Sequence, residues 1–127
     1  MLSNLLKVSL PVAALLGLTA CETAQQPAVS FKSDIKPLLD HNCTECHNDG
    51  GTGTMASGLQ TVNYELLMKG TKYGPVIVPG NAEHSTFYRL IAGKVDPSIQ
   101  MPHGKEKLSG ADIKKVENWI QQGAKNN

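Results

Sequence analysis

Two thiols and an imidazole fall within one short stretch of this chain, Cys43-Thr44-Glu45-Cys46-His47. On a helical turn, positions i, i+3 and i+4 lie on one face, so all three groups can address one object. Two thiols at this spacing can form thioethers to the two vinyl groups of a porphyrin while the histidine reaches its iron. C-x-x-C-H is the attachment pattern of c-type haem. Two other chemistries use such a pair. A thioredoxin-like redox site wants strand–helix–strand alternation, which the hydrophobic pattern lacks. A structural zinc site needs a fourth ligand and usually a second ligand pair, and no cysteine follows Cys46. The expectation is one covalent haem c, with Cys43 and Cys46 as the thioether attachments and His47 as an iron ligand.

The iron's second axial position would decide the chemistry. Pro97 to Gly104 is a long segment without helical periodicity, able to wrap the far face of the ring, and Met101 within it is the expected ligand. A thioether suits haem iron, and Met/His ligation raises the reduction potential as electron transfer requires. Pro102 biases Met101 towards an extended conformation. The competing donors are His103, His84, Met55 and Met68. His41, two residues before the motif, belongs to the His47 side and should not reach the far face.

The elements that must position these groups read as helices. Phe31, Ile35, Leu38 and Leu39 form one apolar helical face, with Ser33 as cap and Pro37 near the first turn. Asn48 to Gly58 is rich in breakers and reads as a flexible loop, with Met55 a gap-filling residue. A second short helix should start from Asn63, with Leu66, Leu67 and Met68 packing inwards. Val76-Ile77-Val78 reads as buried and extended, followed by a Pro79-Gly80-Asn81 turn. Ser85 should cap a third helix carrying Phe87, Leu90 and Ile91. The last helix has a capping box from Ser109 and Asp112, a staple from Leu108 and Ile113, and a Gly123 stop. Trp119 on that helix should pack against the first one. The fold class is all-α, about four short helices around one haem, and with six aromatic residues the porphyrin would supply much of the core.

Thioether formation to haem belongs outside the cytoplasm, and the N-terminus agrees. Met1 to Lys7 is short and basic, Val8 to Leu18 is apolar but short for a spanning helix of ~20 residues, and small residues follow. Leu18-Thr19-Ala20-Cys21 resembles the lipobox of bacterial lipoproteins, which implies cleavage before Cys21 and its lipidation. Residues 1–20 would then be a signal peptide, 21–30 a lipidated tether, and 31–127 a monohaem domain. The three cysteines are thereby assigned, one to lipid and two to haem. The whole chain has 12 basic and 11 acidic residues. That balance offers no basic face for nucleic acid.

The pattern Phe31, Asp34-Ile35, Pro37 and Leu39, then Cys43-x-x-Cys46-His47, Val78-Pro79-Gly80-Asn81, Ser85, Met101-Pro102, Leu108-Ser109, Asp112-Ile113, Trp119-Ile120 and Gly123-Ala124 resembles the planctomycete-type cytochrome c domain. That domain is a branch of the class I-like monohaem cytochromes, and the resemblance spans residues 31 to 124. It implies an all-α fold, thioethers at Cys43 and Cys46, His47 as proximal ligand and Met101 as distal ligand. In that family the domain is often fused to large additional domains, whereas here it stands behind a lipobox, so the usual partners are no guide. The expected function is a membrane-anchored carrier of single electrons between transient redox partner proteins, not an enzyme, facing the periplasm or cell exterior. The alternative is a haem-based sensor or small-ligand-binding protein with a labile distal position. A peroxidase-like enzyme would want distal acid–base groups, and only His103 is placed to serve.

Overall fold

A computed structural model describes residues 26–127. The expected signal peptide, Cys21 and the first residues of the tether lie outside the described residues.

The domain begins with a π-helical turn, Phe31–Ile35, that runs into α1, Lys36–Asn42. The wide turn changes which serine caps it. Ser30 Oγ accepts from the Ser33 amide at 3.2 Å, and the Asp34 carboxylate accepts from the Ser30 amide at 2.8 Å. Ser30 Oγ caps at the usual three-residue spacing, while the carboxylate that reaches back stands one position further on than in an α-helical capping box. Ser30 is therefore the cap in place of the expected Ser33, while Pro37 sits at the start of α1, where no N–H is needed.

Residues 27–30, expected as tether, are fastened to the other end of the chain. Gln122 accepts from the Val29 amide at 2.8 Å and donates to the Pro27 carbonyl at 3.0 Å. Asn127 takes hydrogen bonds from Ser30 Oγ, from the Phe31 amide and from the Lys32 amide, at 2.8, 2.8 and 2.9 Å.

The last helix, α5, spans Gly110–Gln121 and follows the sequence closely. Between α1 and α5 lie α2, Thr52–Ser57, α3, Tyr64–Lys69, and α4, Thr86–Ile91. Ser109 Oγ accepts from the Asp112 amide at 3.1 Å and donates to the Asp112 carboxylate at 2.8 Å. Such a cap contributes about 1 kcal/mol. At the other end the Gly123 and Ala124 amides donate to the Ile120 and Trp119 carbonyls, both at 2.9 Å, with Gly123 at φ 101°. That pair of bonds is a Schellman stop, and the positive φ is why a glycine stands there.

Trp119 is 1% exposed and packs against Phe31 at 5.7 Å between ring centroids, as expected. Tyr64 of α3 meets both rings edge-on, at 5.2 and 6.5 Å. The polar tips are satisfied: Trp119 Nε1 donates to the Lys125 carbonyl at 2.9 Å, and Tyr64 Oη to the Ala124 carbonyl at 2.8 Å. This cluster ties the π turn, α3 and α5 into one core.

Two details of the middle of the chain differ from expectation. Val76 and Ile77 are buried, but Val78 is exposed. Ser85 stands at the N-cap position of α4, yet its hydroxyl makes no cap bond. It donates to the Asn81 carbonyl and accepts from the Val78 amide, at 2.7 and 2.8 Å, closing the Pro79-Gly80 turn instead. A Pro97–Ile99 3₁₀ turn, capped by Asp96, precedes the Met101 segment. Among the described residues there is no strand, only an isolated bridge between Thr71 and Gly74. The architecture is all-α, with one short helix more than the four expected.

Candidate haem-binding site

The extra helix is α2, and it lies where a flexible loop was expected. Its glycines serve close approach, not flexibility. A Cβ on Gly51 would stand 2.4 Å from the Cys46 carbonyl oxygen, and one on Gly53 would stand 2.7–2.9 Å from the ring atoms of His47. The Gly53 and Thr54 amides both donate to the Cys46 carbonyl, at 2.8 and 3.1 Å. The first turn of α2 is thus pressed onto the attachment motif, its backbone lying against the imidazole.

The motif itself is a hydrogen-bonded turn, with the Cys46 and His47 amides donating to the Cys43 carbonyl at 3.1 and 3.0 Å. His47 Nδ1 lies 3.1 Å from the Leu59 carbonyl oxygen. A carbonyl only accepts, so Nδ1 carries the proton and Nε2 keeps its lone pair. Among the described residues no hydrogen bond engages Nε2. The backbone beyond is tied in as well, since the Thr61 amide donates to the His47 carbonyl at 2.8 Å.

Cys43, Cys46 and His47 border a cavity of about 390 Å³, within the roughly 300–1,000 Å³ of small-molecule sites. Leu59, Val76, Phe87, Leu90, Ile91 and Leu108 supply apolar walls, and α4 forms one of them. Met101, Pro102 and His103 border the same space. The Met101 amide donates to the Leu90 carbonyl at 3.1 Å, which fastens the segment to the end of α4. Of the other candidate donors only His103 joins Met101 there. Met55 is 69% exposed, and Met55, Met68, His84 and His41 do not border the cavity.

These residues fit a haem. An apolar slot with two thiols at its edge and an imidazole aimed by its other nitrogen is the donor set that a vinyl-bearing iron porphyrin needs. A zinc-type site does not fit: among the described residues no three His, Cys, Asp or Glu side chains converge as a metal cluster.

Charge at the mouth is local. Lys105, four residues beyond Met101, pairs with Glu45 inside the motif. The lysine holds the Glu45 carboxyl below the usual carboxylate range, and Glu45 raises Lys105 in turn. Burial pushes the Cys43 thiol up to about 11, against a smaller lowering by Lys105. Cys46 is exposed.

The sequence reading missed Gly51, Gly53, Thr54 and Leu59, the residues that back and aim His47. The available signal was the density of glycines just after the motif, which marks either a loop or a close contact.

A family model described as Planctomycete cytochrome C matches residues 43–104. The match opens on the first cysteine of the motif and closes just beyond Met101, so it takes in the whole wall of donors but neither α1 nor α5. No curated protein and no solved structure matches the chain.

Proposed function

Because the chain carries a planctomycete-type cytochrome c domain, we propose that it is a carrier of single electrons, tethered to a bacterial membrane, with one covalent haem c. Cytochrome c domains are typically electron carriers, not enzymes, and act outside the cytoplasm. The observation that carries the reading is the shared cavity: two thiols, a pre-aimed imidazole and a thioether side chain bordering one apolar space.

A haem in that cavity supplies a reversible Fe(III)/Fe(II) couple. The chain's residues do the rest. Cys43 and Cys46 hold the ring edge through thioethers. His47 offers Nε2 to the iron, its orientation kept by Leu59 and by the backbone of Gly53. Met101 would supply the other iron ligand, and its soft sulfur would favour the reduced state. The apolar walls exclude water, which keeps the charge change at the iron from being damped by solvent. Cys21 is the proposed lipid site, and several acyl chains there would give a stable anchor where one would be marginal. Partners would be redox proteins meeting the domain transiently over a small, partly polar surface.

Spectra of protein from a maturation-competent host test this. The iron should be low-spin in both oxidation states, with the weak far-red band of a methionine–ferric bond and little reaction with carbon monoxide. A five-coordinate ferrous spectrum that binds carbon monoxide readily would replace the carrier with a ligand-binding sensor. Colourless protein with both motif thiols free to alkylate would end the haem reading.

A further inference from the structure

The Leu59 carbonyl that orients His47 has a second donor. Thr54 Oγ1 donates to it at 2.8 Å, while His47 Nδ1 stands at 3.1 Å from the same oxygen. The Leu59 amide, on the other side of the same Cα, donates to Ser57 Oγ at 3.1 Å, so the residue is anchored to α2 as well. A carbonyl oxygen has two lone pairs and can take both bonds. Both donors nevertheless draw on the same partial negative charge, so each bond is weaker than it would be alone. The shorter contact belongs to the threonine.

We infer that Thr54 sets the electron density of the His47 imidazole, and through it the reduction potential, by competing for the Leu59 carbonyl. This rests on the carrier reading, in which His47 binds iron. A stronger Nδ1–H···O bond makes the imidazole a better electron donor, which favours Fe(III) and lowers the potential. Thr54 weakens that bond, so in this protein its hydroxyl holds the potential up. Thr54 is a positioning residue in this scheme, acting on the iron only through Leu59 and His47. The α2 helix that carries it thus has two effects on the imidazole: Gly53 fixes where the ring sits, and Thr54 limits how much charge it can donate.

Thr54→Val removes the hydroxyl and keeps the branched shape, whereas Thr54→Ser keeps the hydroxyl. In redox titrations of the haem-loaded protein, the valine variant should shift the Fe(III)/Fe(II) equilibrium three- to tenfold towards Fe(III). At 59 mV per tenfold for one electron, that is a potential lower by roughly 28–59 mV. The serine variant should titrate as wild type. In the reduced, diamagnetic protein, the His47 Nδ1 proton should move downfield and exchange more slowly in the valine variant, and stay in place in the serine variant. If valine is not tolerated, Thr54→Ala reads out the same loss of the hydroxyl. A haem-loaded variant with an unchanged or higher potential overturns the inference, as does a fall in potential without movement of the Nδ1 proton. Wild-type protein without haem overturns the carrier reading, and this inference with it.

Discussion

The wall that carries His47 and the segment that carries Met101 face one cavity but are held in very different ways. His47 is bonded through Nδ1 and through its backbone amide and carbonyl, and a helix backbone lies against its ring. Met101 depends on one backbone bond to Leu90, a buried Pro102 beside it, and an exposed ion pair four residues on. An exposed pair of that kind contributes little, because solvent screens it and two long side chains must be ordered. His47 is held redundantly, Met101 by a short list of contacts. On the proposed reading, a carrier built this way should keep its haem under stress and lose its methionine first.

That contrast can be broken at either end. Gly53→Ala should have the largest effect. Its methyl group would stand 2.7 Å from the His47 ring, so the imidazole must leave its place. The yield of haem-loaded protein should drop at least several-fold, approaching that of His47→Ala, when measured by haem stain against total protein. Wild-type loading would mean that the wall is looser than its contacts imply.

Met101→Ala should be milder for loading and large for electronics. Haem should stay attached, the far-red band should vanish, and the ferrous protein should bind carbon monoxide. The potential should fall by an amount on the order of 100 mV, inside the ~0.8 V range that axial ligation spans. Survival of the band would remove Met101 from the iron.

The packing of the His47 wall can be read without haem. In haem-free protein, burial raises the Cys43 thiol to about 11, so its reactive thiolate is scarce at neutral pH. Alkylation of Cys43 should therefore accelerate about tenfold per pH unit and level off only near 11. Cys46, which is exposed, should react first at pH 8. Mass spectrometry of timed samples reports both rates. Equal rates would show that the wall opens when the ring is missing.

The smallest effect belongs to Glu45→Gln. Losing the partner of Lys105 should raise the carbon monoxide on-rate of the reduced protein by less than about threefold. It should also abolish the rise that salt causes in wild type, because screening already weakens an exposed pair. A larger gain would make the pair a true latch on the Met101 segment.

Much of this architecture is legible in the residues, and the parts that are not share a cause. The attachment motif and α5 can be read directly because their determinants are local. The spacing of Cys43, Cys46 and His47 is covalent geometry, and Ser109, Asp112 and Gly123 act within a turn of their own positions. Ser85 and Ser33 mislead because a hydroxyl that suits a helix cap does not by itself say which serine will cap. Only the fold places Ser85 against Asn81 and Val78, and only the π turn pairs Ser30 with Asp34. Gly51 and Gly53 mislead for a related reason. A missing Cβ permits either freedom or contact, and the difference lies in what stands opposite, here Cys46 and His47. The Met101 segment is marked in the sequence by residue type alone, and its place on the cavity depends on an α4 carbonyl that no periodicity marks.

The seam between Pro27–Lys32 and residues Gln122 and Asn127 gives the domain a mechanical property. A pull applied at Gln26 meets those bonds before it meets α1. Tension along the polypeptide is therefore diverted into α5 and the aromatic cluster beneath it, and the Cys43–His47 turn carries none of the strain until the seam has torn.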